Sequence, residues 1–118
     1  MSIDIVEEFL KLVAINSPSG TERELACYLK EKLQQLGAEV YEDGSADKTG
    51  SNTGNLIARY PGKTAKPTLL LTAHMDTVAS TEGMTPEIRE GAVYSDGKCI
   101  LGADDKAGLA VILGVLQN

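Results

Sequence analysis

"LLLTAHMDTV", residues 69–78, sets an apolar run against the chain's one histidine, with an aspartate two positions further on. The wider stretch TLLLTAH shows no alternation of apolar and polar side chains. A strand with one wet face would alternate, so this run reads as a strand buried on both faces. Side chains at i and i+2 of a strand point to the same side. His74 and Asp76 can therefore face one pocket from the strand's carboxyl end, where ligands gather in open α/β sheets. A neutral imidazole is a common metal ligand. The carboxylate beside it has two open roles: it could bind metal itself, or accept the other ring N–H and hold the tautomer. Against both stands the plainer reading of a lone histidine as a satisfied or solvent-facing residue.

A second polar knot, LGADDKAG at 101–108, opens the last apolar block. Asp104 or Asp105 could cap the helix that AGLAVILGVLQN predicts. A cap accounts for one aspartate and leaves the other, and Lys106, without a role. Adjacent carboxylates repel each other unless a cation neutralises them. The phosphate-loop pattern GxxxxGK[ST] is absent.

Outward from these motifs, residues 3–14 place Ile5, Val6, Phe9, Leu10 and Val13 on one helical stripe. NSPSG at 16–20 breaks that helix. Thr21 and Glu24 have the capping-box spacing for a second helix, whose buried face is Leu25, Leu29, Leu33 and Leu36 and whose stop is Gly37. AEVYE (38–42) and NLIARY (55–60) predict strands, PEIREGAVYSDG a hairpin turning near Gly91, and CIL a further strand. Helices and strands in this order, with one continuously apolar strand, define an α/β layered domain.

The formal net charge of −6 and pI of about 4.7 argue against nucleic acid as a partner, because the phosphate backbone needs a basic surface. No stretch approaches the ~18 apolar residues of a membrane span, and the first residues carry acids where a signal peptide carries bases. Cys27 and Cys99 form no disulfide framework and read as free packing thiols in a reducing cytoplasm.

HMDTV followed by LGADDKAG resembles the dinuclear zinc exopeptidases that include peptidase T, carboxypeptidase G and acetylornithine deacetylase. INSPSGTE and YSDGKCILGADDKAG add to the likeness, which runs the length of the chain and is nearest to peptidase T. The resemblance implies a three-layer αβα catalytic domain with a mixed, mostly parallel sheet, of which residues 1–118 would be the N-terminal part. The inserted dimerisation domain and the C-terminal part would lie outside the chain. It implies two zinc ions, with cobalt or manganese as alternatives. His74 would bind one ion, Asp104 would bridge both, Asp76 would be the catalytic-site carboxylate that orients His74, and a cis peptide would follow Asp104. Lys106 is left to the surface or to bracing the loop. The implied reaction is hydrolysis of the N-terminal peptide bond of short peptides by a water held between the ions, in a parent enzyme that is a candidate homodimer. A related amidohydrolase acting on N-acyl amino acids, and a non-catalytic binding module, are the alternatives. The general-base glutamate and the remaining ligands would lie downstream, so the chain alone is expected to be inactive, with open sheet edges that favour association.

Overall fold

The first helix begins where Asp4 turns its carboxylate back on the chain: Oδ1 accepts from the N–H groups of Val6 and Glu7 at 3.0 and 3.1 Å. This cap satisfies donors that have no partner inside the helix. The structure, a computed structural model, describes residues 3–117. Its elements are α1 (Ile5–Val13), α2 (Arg23–Gln35), β1 (Glu39–Glu42), α3 (Ala46–Thr49), β2 (Leu56–Arg59), β3 (Glu87–Arg89), β4 (Ala92–Tyr94) and α4 (Ala103–Gln117). The architecture is mixed α/β, and among the described residues no helix is long and apolar enough to cross a membrane.

The core lies between three helices. Leu12 of α1, Leu25, Leu29 and Leu33 of α2, and Leu109, Ala110 and Leu113 of α4 form one buried cluster. Leu12 and Val13 carry the buried face of α1, whereas Ile5 and Val6 are about half exposed, which corrects the predicted stripe. The reason is the neighbour: α1 packs along α4, and Ile5 lies over Gly114, where a Cβ would sit 3.0 Å from Ile5 Cδ1. Glu8 is also buried. It accepts from the Tyr28 hydroxyl and pairs with Lys32 at 3.1 Å, so the charge crosses to α2 with partners, as a buried charge must.

Helix α2 starts differently from the expected capping box. The Thr21 hydroxyl donates to the Pro18 carbonyl at 3.1 Å, and no side chain of the helix's own N-cap residue, Glu22, caps it. The cap comes instead from a distant loop, where Asn52 Oδ1 accepts from Arg23 N–H at 2.9 Å. The Arg23 guanidinium then grips Glu42 at the end of β1 with two contacts of 2.8 Å. Gly37, at a φ of 96°, ends the helix as expected. Cys27 is exposed rather than packed, and both cysteines are free thiols.

Strands β1 and β2 pair antiparallel, Glu39 opposite Arg59 and Glu42 opposite Leu56. Strands β3 and β4 form the predicted hairpin. Its two turn residues, Glu90 at φ 50° and Gly91 at φ 79°, both have positive φ, the requirement of a type I′ turn. Among the described residues these two antiparallel pairs are the sheets.

Residues 68–74 depart from the buried strand expected there. The segment pairs with no strand, and Leu69, Leu70 and Leu71 are 77, 81 and 40% exposed. A run of leucines is buried on both faces only when a sheet flanks it and layers cover it. Here the nearest pairing is a single parallel bridge between Pro18 and Thr77, past the end of the run. CIL is likewise unpaired.

At the start of α4, Asp104 and Asp105 are non-helical and joined by a cis peptide bond, as the resemblance implies. Asp105 is the capping aspartate: its Oδ1 accepts from Gly108 N–H at 3.1 Å. A Cβ on Gly108 would stand 2.5 Å from that oxygen.

Candidate metal centre

Three carboxylate and imidazole side chains from two segments meet at the tip of residues 72–77. His74 Nδ1 faces Asp76 twice, with the backbone carbonyl at 2.9 Å and Oδ1 at 3.0 Å. On the other side of the ring, Nε2 lies 2.9 Å from Asp104 Oδ1. Asp104 and Asp76 thus hold opposite edges of one imidazole, and the ring itself is half exposed. The Asp104 carboxylate is 96% exposed, because the neighbouring Asp105 has taken the capping position on α4.

Electrostatics follow from these contacts. Hydrogen bonding to Asp104 first, then to Asp76, raises the His74 pKa above its ordinary 6.5, against the opposing effect of partial burial. The Ser19 hydroxyl, then His74, hold the Asp76 carboxyl below its ordinary range. Both aspartates thus favour the doubly protonated ring, Asp76 at Nδ1 and Asp104 at Nε2, and a metal at Nε2 would displace only the proton there.

The site residues expected from sequence, His74, Asp76 and Asp104, are all brought together. The donor chemistry suits a borderline divalent ion such as zinc, which takes imidazole nitrogen and carboxylate oxygen alike. The donor number falls short: among the described residues no group of three or more His, Cys, Asp and Glu side chains is placed to enclose an ion. Asp76 explains why, since its carboxylate is committed to the Nδ1 edge and to Ser19.

Two residues support the site: Lys106, in the loop-bracing role that the sequence left open beside a surface one, and Ser19, which the sequence did not single out. Lys106 is fully buried, not a surface residue, and its ammonium donates to the Ile15 carbonyl. Burial pushes its pKa down to about 8. It therefore braces the loop that INSPSGTE forms. Ser19, from the same loop, donates to Asp76 Oδ2. The sequence signal for Ser19 was the cluster of small polar residues in NSPSG, part of the INSPSGTE stretch that adds to the family likeness.

The same fold occurs in solved peptidases. A tripeptidase from Staphylococcus aureus subsp. aureus mu50 superimposes with a TM-score of 0.91 at 43% identity, over 96% of this chain and 31% of that one. The aminopeptidase PepT from Bacillus cereus ATCC 10987 superimposes with a TM-score of 0.89 at 40% identity, again over 96% of this chain and 31% of that one. The uncharacterized protein YqjE of Bacillus subtilis (strain 168) is 44% identical over 96% of this chain and 30% of its own length. Fold and motifs together define a chain of the exopeptidase class, related to peptidase T and the tripeptidases. It belongs to peptidase family M28, whose model matches residues 55–118. The chain spans about a third of the length of these relatives.

Proposed function

We propose that this chain is the His74, Asp76 and Asp104 portion of a metal-dependent exopeptidase whose full-length form releases the N-terminal residue of short peptides. One observation carries the reading: His74 presents Nε2 to Asp104 at 2.9 Å while Asp76 holds Nδ1. In this reading His74, through Nε2, and Asp104, exposed and free of capping duty, would be the residues of this chain that hold the two ions. Zinc is the ion proposed, with cobalt or manganese able to replace it. Bound ions would supply Lewis-acid polarisation of the scissile carbonyl and a lowered pKa for the attacking water. Asp76 keeps the ring proton on Nδ1, so that the Nε2 lone pair stays available. The open face of the imidazole and of Asp104 leaves room for the peptide's amino end.

Supporting the wider reading, the chain aligns over nearly all of its length with about a third of two peptidases. We propose that it is the N-terminal part of a three-layer αβα catalytic domain. In that domain, strands from the rest of the protein would flank residues 68–74 and complete a mostly parallel sheet. The free thiols of Cys27 and Cys99 suit a reducing cytoplasm. Two ligands cannot satisfy two sites that each want about four contacts, so the chain alone is expected to have no turnover.

Calorimetric titration of zinc and of cobalt into this chain tests the reading, beside His74→Ala and Asp104→Ala. The expected result is weak binding that both substitutions abolish. Binding that survives both, or no zinc in the full-length parent, would overturn it.

A further inference from the structure

Residues 15–19 lie between α1 and α2, and each of them is tied either to Lys106 or to a residue within 75–81. The Ile15 carbonyl accepts from Lys106. Asn16 Oδ1 accepts from Thr81 N–H at 2.8 Å. Ser17 donates to the Met75 carbonyl at 2.8 Å, and its own carbonyl accepts from Thr77 N–H at 2.8 Å. Pro18 bridges to Thr77, and Ser19 N–H donates to the Thr77 carbonyl at 3.2 Å. These contacts fix backbone on both sides of Asp76. The Ser19 hydroxyl alone among them reaches a functional side chain, Asp76 Oδ2.

That single contact has a consequence for the imidazole. The terminal torsion of an aspartate is broad, with no sharp staggered preference, so its hydrogen bonds decide where the two oxygens point. One anchored oxygen sets where the other points. With Oδ2 held by Ser19, Oδ1 lies 3.0 Å from His74 Nδ1. A neutral ring carries one N–H, and Nδ1 then faces two acceptors of Asp76 against one of Asp104 at Nε2. We propose that Ser19 is a positioning residue: its hydroxyl holds the Asp76 carboxylate in the orientation that keeps the His74 proton on Nδ1 and the lone pair on Nε2, toward Asp104. The service this gives to catalysis rests on the metal-site reading above. The tautomer itself does not, and it can be read without any metal.

The chain has one histidine, so isotope-labelled histidine gives a single pair of ring-nitrogen resonances by NMR. At a pH where the ring is neutral, the wild type should show Nδ1 protonated and Nε2 bare. Ser19→Ala, at an exposed position, should move the tautomer ratio about fivefold toward Nε2–H, the equivalent of one ordinary hydrogen bond. Ser19→Thr should restore the wild-type ratio. Ser19→Val, of threonine's shape without the hydroxyl, should behave as alanine does, which separates the donor from any loss of packing. A ratio unchanged in Ser19→Ala and Ser19→Val overturns the proposal. So does a threonine variant that matches valine, or a wild type with Nε2 protonated. Zinc titration of the full-length parent keeps the two readings apart. No zinc binding beside the expected tautomer shift sinks the metal site and leaves Ser19 standing, whereas zinc binding beside an unmoved tautomer sinks Ser19 alone.

Discussion

Leu69, Leu70 and Leu71 stand bare, two of them more than three-quarters exposed, while a few residues later Thr77 is completely buried. The two ends belong to one continuous extended segment, and what differs is the partner. The leucine stem has no strand beside it. The tip is held by residues 15–19, which reach it through hydrogen bonds at Met75, Asp76 and Thr77. The lesson is that, in this chain, the candidate site is held from the side by a loop. Buried backbone groups must be paired somewhere, and at the tip the loop does the pairing that a neighbouring strand would do elsewhere.

The strongest way to break this comparison is to cut the tip where it is most buried. Thr77→Ala removes a buried methyl and the hydroxyl that donates to the Ala79 carbonyl at 2.7 Å, and should lower stability by about 2 kcal/mol in urea unfolding. If it cost no more than a surface change, the tip would be no better ordered than the stem. Asn52→Ala comes next. It removes the loop's cap on α2 and should cost about 1 kcal/mol, which would extend the same principle of loops fixing elements to a second place.

Acid should act on that second place more gently. Arg23, then Gly54 N–H, lowers the Glu42 pKa from 4.5 to about 2. A carboxyl with a depressed folded pKa contributes stability that is present above the unfolded value and lost as pH falls through the folded one. Stability should therefore decline between about pH 4.5 and 2, and Glu42→Gln should flatten that slope. The pair lies at the surface, so its contribution is small. The smallest effect belongs to the stem. Leu70→Ser should change stability by less than about 0.5 kcal/mol, yet reduce self-association in sedimentation, because an open apolar edge invites pairing.

Much of the molecule was legible where its causes are local. Gly37 ends α2 and Gly91 turns the β3–β4 hairpin because positive φ is a property of a residue and its neighbours. The meeting of His74 with Asp76 was expected from their i, i+2 spacing. Causes that act across the chain were not legible. The cap of α2 comes from 29 positions away, and Ser19 meets Asp76 across 57. The leucines at 69–71 carry the pattern of a buried strand, but burial is conferred by whatever lies alongside, which no run of residues encodes by itself. For Lys106 the sequence left a surface role and a bracing role open, because a lysine in a polar motif gives no sign that its stem will be enclosed and its ammonium spent on a carbonyl of α1's exit.

The aspartate pair at 104 and 105 divides its work through a glycine. With Asp105 bent over Gly108 N–H, a methyl at 108 would collide with both oxygens and with the carboxyl carbon, at 2.5, 2.6 and 2.8 Å. In a saturation library, position 108 would therefore sort variants by bulk before it sorted them by polarity. Any side chain there would press on the Asp105 carboxylate that accepts from Gly108 N–H. A substitution that never touches the imidazole would thereby disturb the turn that carries its carboxylate neighbour, Asp104.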